Sequence, residues 1–454
     1  MRVAGCFPVI GILILGLALG MTCKKKNQPP GAPSIPSGPT SGRKGDSLRF
    51  STTAEDQDGD SVAVRFDWGD STMSDWSAPV RSGDSVVMKH AWQKLATYSI
   101  GTQARDAGET ASVWSAEHQL TIASFSATFG GSGDEAGLSV QMTPDGGYIV
   151  VGRTSSYGAG LDDAWLLRTD RSGSMMWDKT FGGACGDYGY SVEQTTDGGY
   201  IIAGSTYSQG AGRSDVWLVK ADVSGDEVWE KTFGGSAWDV CWSVQQTSDE
   251  GFIVVGVTSV SGRGDDIWLV KTDALGDRIW DRTFGGSGED RGYSVRQTSD
   301  GGYIITGYTA SYGAGYFDIW LIKTDDSGNI VWDRTFGGAD DDCGESVRQT
   351  SDGGYVIAGS TGHTPDGLGD VWLVKTDASG NEVWDKTFGG VSQEGGHSVE
   401  QTSDGGYIIV GYADGRTTAW LIRTDASGNK IWDKTFGGAH FQEGNSVQQT
   451  SDGG

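Results

Sequence analysis

The tetrapeptide Thr-Phe-Gly-Gly recurs along this chain with its phenylalanine at Phe129, Phe181, Phe233, Phe284, Phe336, Phe388 and Phe436, at steps of 52, 52, 51, 52, 52 and 48 residues. A period of this length belongs to chains in which one small unit buries its apolar face only against a copy of itself. That requirement narrows the fold more than any other feature of the sequence.

The fifth copy shows how a unit is built. Ser346–Thr350 reads as a first strand, Ser351–Gly354 as a turn and Tyr355–Gly359 as a second strand. After a longer loop, Asp370–Lys375 reads as a third strand, Asp377–Asn381 as a turn and Glu382–Phe388 as a fourth. The Asp-Gly-Gly and Ser-Gly-Asn turns supply the positive φ angles of tight hairpins. The second and third strands are nearly continuous apolar runs, as expected of strands covered on both faces. Tryptophans fall twelve residues apart in every full unit, from Trp165/Trp177 to Trp420/Trp432, and are expected to pack between units. Radial repetition of four-stranded sheets meets all of these conditions, so the region 123–454 is expected to be a β-propeller. Six full copies lie between two partial ones. Residues 123–131 read as a lone fourth strand and 446–450 as a lone first strand. Seven blades are therefore expected, the last incomplete within this sequence, which reads as part of a longer protein.

Composition agrees with an all-β chain: 74 of 454 residues are glycine and 18 are tryptophan. A formal charge of −26 argues against nucleic acid as a partner and suits a soluble surface that attracts cations or basic molecules. The five cysteines show neither a disulfide framework nor zinc spacing.

Residues 1–23 read as an export leader: Arg2, an uncharged stretch from Val3, then Lys24-Lys25-Lys26 and a Pro/Gly/Ser linker over 24–42. The leader resembles a bacterial lipoprotein signal, which implies acylation at Cys23 and a membrane anchor. Ordinary cleavage near Ala18-Leu19-Gly20, or retention as an anchor, are the alternatives. All routes lead to export, either to the cell envelope (outer surface or periplasm) or as a secreted protein.

Residues 43–122 carry short strands and turns. Phe66-Asp67-Trp68-Gly69-Asp70, His90-Ala91-Trp92 and Ala96-Thr97-Tyr98 through Asp106-Ala107-Gly108 resemble a PKD domain, which implies an immunoglobulin-like β-sandwich acting as a spacer or weak binder. Asp56, Asp58 and Asp60 group carboxylates suited to calcium, or form a solvated turn.

The region 123–454 resembles the tandem DGGYII…TFGG propeller proteins of bacterial and archaeal envelopes, and Leu373–Trp384 resembles the tryptophan-docking strands of quinoprotein dehydrogenases. Its longer loops vary from copy to copy, which marks their face as the binding surface. Two acidic sets border that face. Glu135, Asp187, Asp239, Asp290, Asp342 and Glu394 stand four residues before each first-strand serine, with Gln442 in the last copy. Asp163, Asp215, Asp266, Asp318 and Asp370 precede the third-strand tryptophans. They are candidates for a divalent cation or a basic ligand, or each holds its own loop by accepting backbone N–H groups. Trp238 and Trp242 flank Cys241 and break the repeat, marking either a local ligand patch or filler at the channel entrance. No catalytic residues are legible. The expected role is non-enzymatic binding or adhesion to an extracellular protein or glycan. The alternative is a propeller enzyme, glycan-active or quinone-linked.

Overall fold

The computed structural model describes residues 27–94, 96–122, 126–259, 264–362, 369–437 and 441–450. The leader, with the lipidation expected at Cys23, lies outside them. Among the described residues no helix is long and apolar enough to cross a membrane. The regular structure is all β, and the chain divides into two compact units, Met1–Ser124 and Phe125–Gly454.

In the first unit, Ser41–Gly42, His118–Ile122, Ala96–Arg105 and Ala63–Asp67 form a four-stranded sheet, while Ser47–Thr53 and Ser85–Ala91 pair separately. Both sheets feed one core. Phe50 and Val86 come from the pair; Val64, Phe66, Ile100 and Leu120 come from the larger sheet. Trp92 is fully buried there, and its indole N–H donates to the Trp68 carbonyl at 3.0 Å, which satisfies the one polar atom its burial would orphan.

The second unit contains six four-stranded antiparallel sheets, each made of consecutive strands. Copy 2 runs Asp187–Gln194, Tyr200–Thr206, Asp215–Ala221 and Glu227–Phe233. The other copies occupy 135–181, 239–284, 290–336, 342–388 and 395–437. In every copy the first strand shifts register once, between a glycine and a serine as at Gly189/Ser191, or between Cys241 and Ser243 in copy 3. The bulge pushes a carbonyl toward the second strand. A Cβ on Gly204 would overlap the Tyr188 oxygen, and Gly152, Gly256, Gly307, Gly359 and Gly411 face the same obstacle. Glycine at this position is thus a steric requirement of the bulge.

The Asp-Gly-Gly turns, and Asp249-Glu250-Gly251 in copy 3, are pinned from below. The third-strand lysines Lys220, Lys271, Lys323 and Lys375 bury their stems and reach Asp197, Asp249, Asp300 and Asp352 at 2.9–3.0 Å. Arginines Arg168 and Arg423 do the same to Asp145 and Asp404. In copies 1 to 5 both members of the tryptophan pair are committed to packing. The third-strand indole donates to the neighbouring strand's carboxylate, as Trp320 does to Asp333 at 3.0 Å. The fourth-strand indole stacks edge-on against the next copy's second strand, as Trp332 does on Tyr355 at 5.8 Å.

The sheets are joined by a ladder of side chains. Ser139 Oγ accepts the Val192 N–H, Ser191 the Val244 N–H, Ser243 the Val295 N–H, Ser294 the Val347 N–H and Ser346 the Val399 N–H, all at 3.3–3.4 Å. Ser398 then accepts from Val447 at 3.4 Å, and Ser446 from Val140 at 3.2 Å. The ladder so returns to the copy where it began. Residues 441–450 stand in it as a seventh inner segment, between the first strands of copies 6 and 1. Two sequence expectations are corrected. Residues 126–131, read as a fourth strand, and 446–450, read as a first strand, form none. A fourth strand needs a third to pair with, and the seventh position holds only its inner segment among the described residues.

Candidate binding site on the inner strands

Each first strand begins at a loop and ends at an Asp-Gly-Gly turn, so its side chains mark depth along the inner face. At the loop end sit the six acids of the first predicted set. Each accepts the N–H of its own Thr-Phe-Gly-Gly segment: Gly131 to Glu135, Gly183 to Asp187, Gly235 to Asp239, Gly286 to Asp290, Gly338 to Asp342 and Gly390 to Glu394, at 2.7–3.2 Å. Threonine hydroxyls add a second bond, as Thr206 does to Asp187 and Thr258 to Asp239, each at 2.5 Å.

The second predicted set meets the first across the seams between copies. A Cβ on Gly182 would press on both Asp163 and Asp187, and Gly234, Gly285, Gly337 and Gly389 stand likewise between Asp215/Asp239, Asp266/Asp290, Asp318/Asp342 and Asp370/Glu394. The bare glycine leaves room for two buried carboxyls side by side. Burial, with Asp187 adding repulsion, raises the Asp163 pKa, while the Ala159 and Gly160 N–H groups oppose it. Burial raises Glu394 in the same way, with Asp370 adding to the shift. These carboxyls hold crossover loops: Asp318 accepts from Ala314 at 2.8 Å and Gly315 at 3.1 Å.

In the first unit, Asp56 Oδ1 accepts the N–H groups of Asp58 and Asp60 at 2.8 and 3.1 Å, and Asp58 Oδ2 accepts from Gln28. That is the geometry of an Asx turn. Among the described residues no group of three or more His, Cys, Asp or Glu side chains is placed to hold a metal ion.

Three residues past each acid the copies diverge. Between the bulge glycine (Cys241 in copy 3) and the ladder serine stand Leu138, Tyr190, Trp242, Tyr293, Glu345, His397 and Asn445, six different side chains over seven positions of one structural column. Sequence reasoning had singled out only Trp242 of these. Trp242 meets Tyr293 at 4.9 Å and Trp238 at 6.3 Å; Tyr190 stacks on Tyr188 at 6.1 Å. Trp238 is capped by Arg291, which pairs with Glu289 at 2.5 Å and Asp265 at 3.2 Å. The opposite arc is polar. The Cys343 thiol donates to Glu345 at 3.5 Å, His397 packs on Tyr412 at 5.3 Å, and Arg416 covers Tyr412 at 4.6 Å. Burial pushes the Glu345 carboxyl up, against the pull of His397 and Arg416, and pushes the Cys343 thiol up as well, which leaves that thiol a poor nucleophile.

Deeper still, Gln141, Glu193, Gln245, Arg296, Arg348, Glu400 and Gln448 line a polar cavity of about 170 Å³. Arg348 pairs with Glu400 at 2.8 Å. Burial and the nearby Arg348 lower Arg296 to about 10, against the pull of Glu193 and Glu400.

No protein family and no curated protein matches this chain. Solved structures do. The chain is similar to the PKD domain of an M14-like peptidase from a Thermoplasmatales archaeon, 31% identical over 21% of this chain and 97% of that one, with a TM-score of 0.20. It is also similar to the extracellular domain of a hybrid two-component system from B. thetaiotaomicron, 8% identical, covering 86% of this chain but only 49% of that one, with a TM-score of 0.31. A DUF4784 family protein from Bacteroides caccae is 12% identical over 78% of this chain and 95% of that one, with a TM-score of 0.27.

Proposed function

We propose that the second unit is a seven-position β-propeller of an exported protein, and that it binds an extracellular ligand without turnover at the mouth formed by the divergent column. The leader sequence supports export; the PKD-like residues support a spacer role for the first unit. One observation carries the binding role. Positions that build the frame repeat from copy to copy, including the bulge glycine, the ladder serine, the turn aspartate and both tryptophans, whereas the column from Leu138 to Asn445 differs at almost every step. A frame needs uniformity, and a recognition surface needs difference.

The chemistry of the column favours a polar ring-bearing ligand such as a glycan. Tyr190, Trp242 and Tyr293 offer flat apolar faces, while Glu345, His397 and Asn445 offer donors and acceptors opposite them. A glycan array read with the whole protein tests this, followed by titration of any hit against Trp242→Ala. Saturable binding weakened roughly tenfold or more by that change, with an unaltered melting temperature, is the expected result. Binding indifferent to Trp242 would refute the site. A glycan-cleaving reading draws on Glu345, whose raised carboxyl suits a general acid. Turnover lost in Glu345→Gln would establish it in place of simple binding.

A further inference from the structure

Five seams between consecutive copies are closed in the same way. Trp177 meets Tyr200, Trp229 meets Phe252, Trp280 meets Tyr303, Trp332 meets Tyr355 and Trp384 meets Tyr407, edge-on at 5.8–6.0 Å. Phe181, Phe284, Phe336 and Phe388 at the strand ends are at most 9% exposed. Beyond copy 6 the same residues lie bare: Trp432 is 40% exposed and Phe436 56%, and all eight residues of Lys430–Gly437 face solvent. The other bank is open too. From Tyr148 to Val151 half-buried and buried residues alternate, where copies 2, 4 and 6 are buried at every position of that strand.

Between these banks the inner segment is already in place. Gly444 N–H donates to the Gly411 carbonyl at 2.9 Å, Asn445 Nδ2 to the Gly137 carbonyl at 3.0 Å, and Gln448 accepts the Met142 N–H at 2.5 Å. The position thus has an inner segment in the place of a first strand and both neighbouring faces, and among the described residues an apolar surface is left open where the second to fourth strands stand elsewhere.

We propose that this open position is a docking surface for one three-stranded segment of the same repeat. Its second strand pairs with 446–450, its leading aromatic residue stacks on Trp432, and its far face covers Tyr148 and Val150. The occupant is defined by continuity: five occupied seams present the surface that the open one lacks.

The test appends a copy of residues 407–437 after Gly454 and follows hydrogen exchange peptide by peptide. Amides of 430–437 are expected to slow at least ~10-fold and the melting temperature to rise by ~5 °C or more. Trp432→Ala should shift the unextended protein by less than ~1 °C yet remove most of the gain in the extended one. A scrambled extension that protects equally well would overturn the proposal, as would unchanged exchange at 430–437. Protection already present in the unextended protein, with the mass of a dimer, would assign the surface to a second copy and overturn it too.

Discussion

The turn at Thr143-Pro144-Asp145 contains a defect whose repair should be measurable. At five seams a glutamine ending one copy's first strand, or the inner segment, reaches back to the preceding turn. Thr196 N–H donates to Gln246 Oε1, Ser248 to Gln297, Ser299 to Gln349, Ser351 to Gln401 and Ser403 to Gln449, at 2.8–2.9 Å. Gln194 is placed to do the same, but its donor would be Pro144, which has no N–H, and Gln194 Oε1 is left buried without a partner. An orphaned buried acceptor costs about 1–3 kcal/mol. Proline at the second position of the turn returns about 0.4–1 kcal/mol by restricting the unfolded chain. Pro144→Ser should therefore stabilise the protein by about 1 kcal/mol net, or about 2 °C in melting temperature for a unit of this size. Thr196→Pro, which creates the same defect at the next seam, should lower stability by about 1–2 kcal/mol. Calorimetry and urea titration on both variants measure the two shifts. A Pro144→Ser protein no more stable than the parent, beside a Thr196→Pro protein that loses nothing, would refute the argument that these glutamines tie the seams.

Other consequences can be checked with less effort. Gly307→Ala sets a Cβ against the Arg291 carbonyl and should cost about 3 kcal/mol in a chemical melt; a cost near zero would mean that the bulge is not rigid. Burial raises Asp197, Asp300 and Asp352, but the threonine hydroxyls and lysines of their turns outweigh it and hold all three at about 2. A lowered carboxyl stabilises the fold fully above its unfolded value near 4, and that contribution fades as pH falls toward 2. Since these side chains are more than half in water, each is worth about 1 kcal/mol or less, so a Thr298→Ala protein should be less stable than the parent by about that much or less above pH ~4, and the difference should shrink as pH falls toward 2. Calcium or a chelator is expected to leave the melting temperature unchanged, because Asp56 Oδ1 is taken by its own turn and, among the described residues, no group of three or more His, Cys, Asp or Glu side chains is placed to hold a metal; a rise that EDTA reverses would contradict this.

The repeat period and the turn residues made the four-stranded unit legible, because hairpin chemistry is local and apolar runs report burial on both faces. The tryptophans were readable for the same reason. The pairing of Asp163 with Asp187 was not, since those residues sit 24 positions apart in different copies and meet only through packing. Tyr190, Tyr293, Glu345, His397 and Asn445 escaped notice because the bulge at Gly189/Ser191 and its equivalents breaks the alternation by which strand faces are read. A signal was present nonetheless: aligned by copy, that column fails to repeat, as does the one two residues before it, from Ala136 to Glu443. Of the fourth strand expected over 123–131, the described residues 126–131 form none for a physical reason, as a ribbon end without a neighbour leaves its backbone bonds to water.

The serine ladder bears on how the chain can be rewired. Every rung points the same way, hydroxyl of one copy to amide of the next, including the rung that leads from Ser446 back to Val140. A circle of equivalent rungs has no natural first member. Permuted genes that open the chain at a different Asp-Gly-Gly turn should rebuild the same contacts in rotated order, and would show whether assembly depends on which copy is synthesised first.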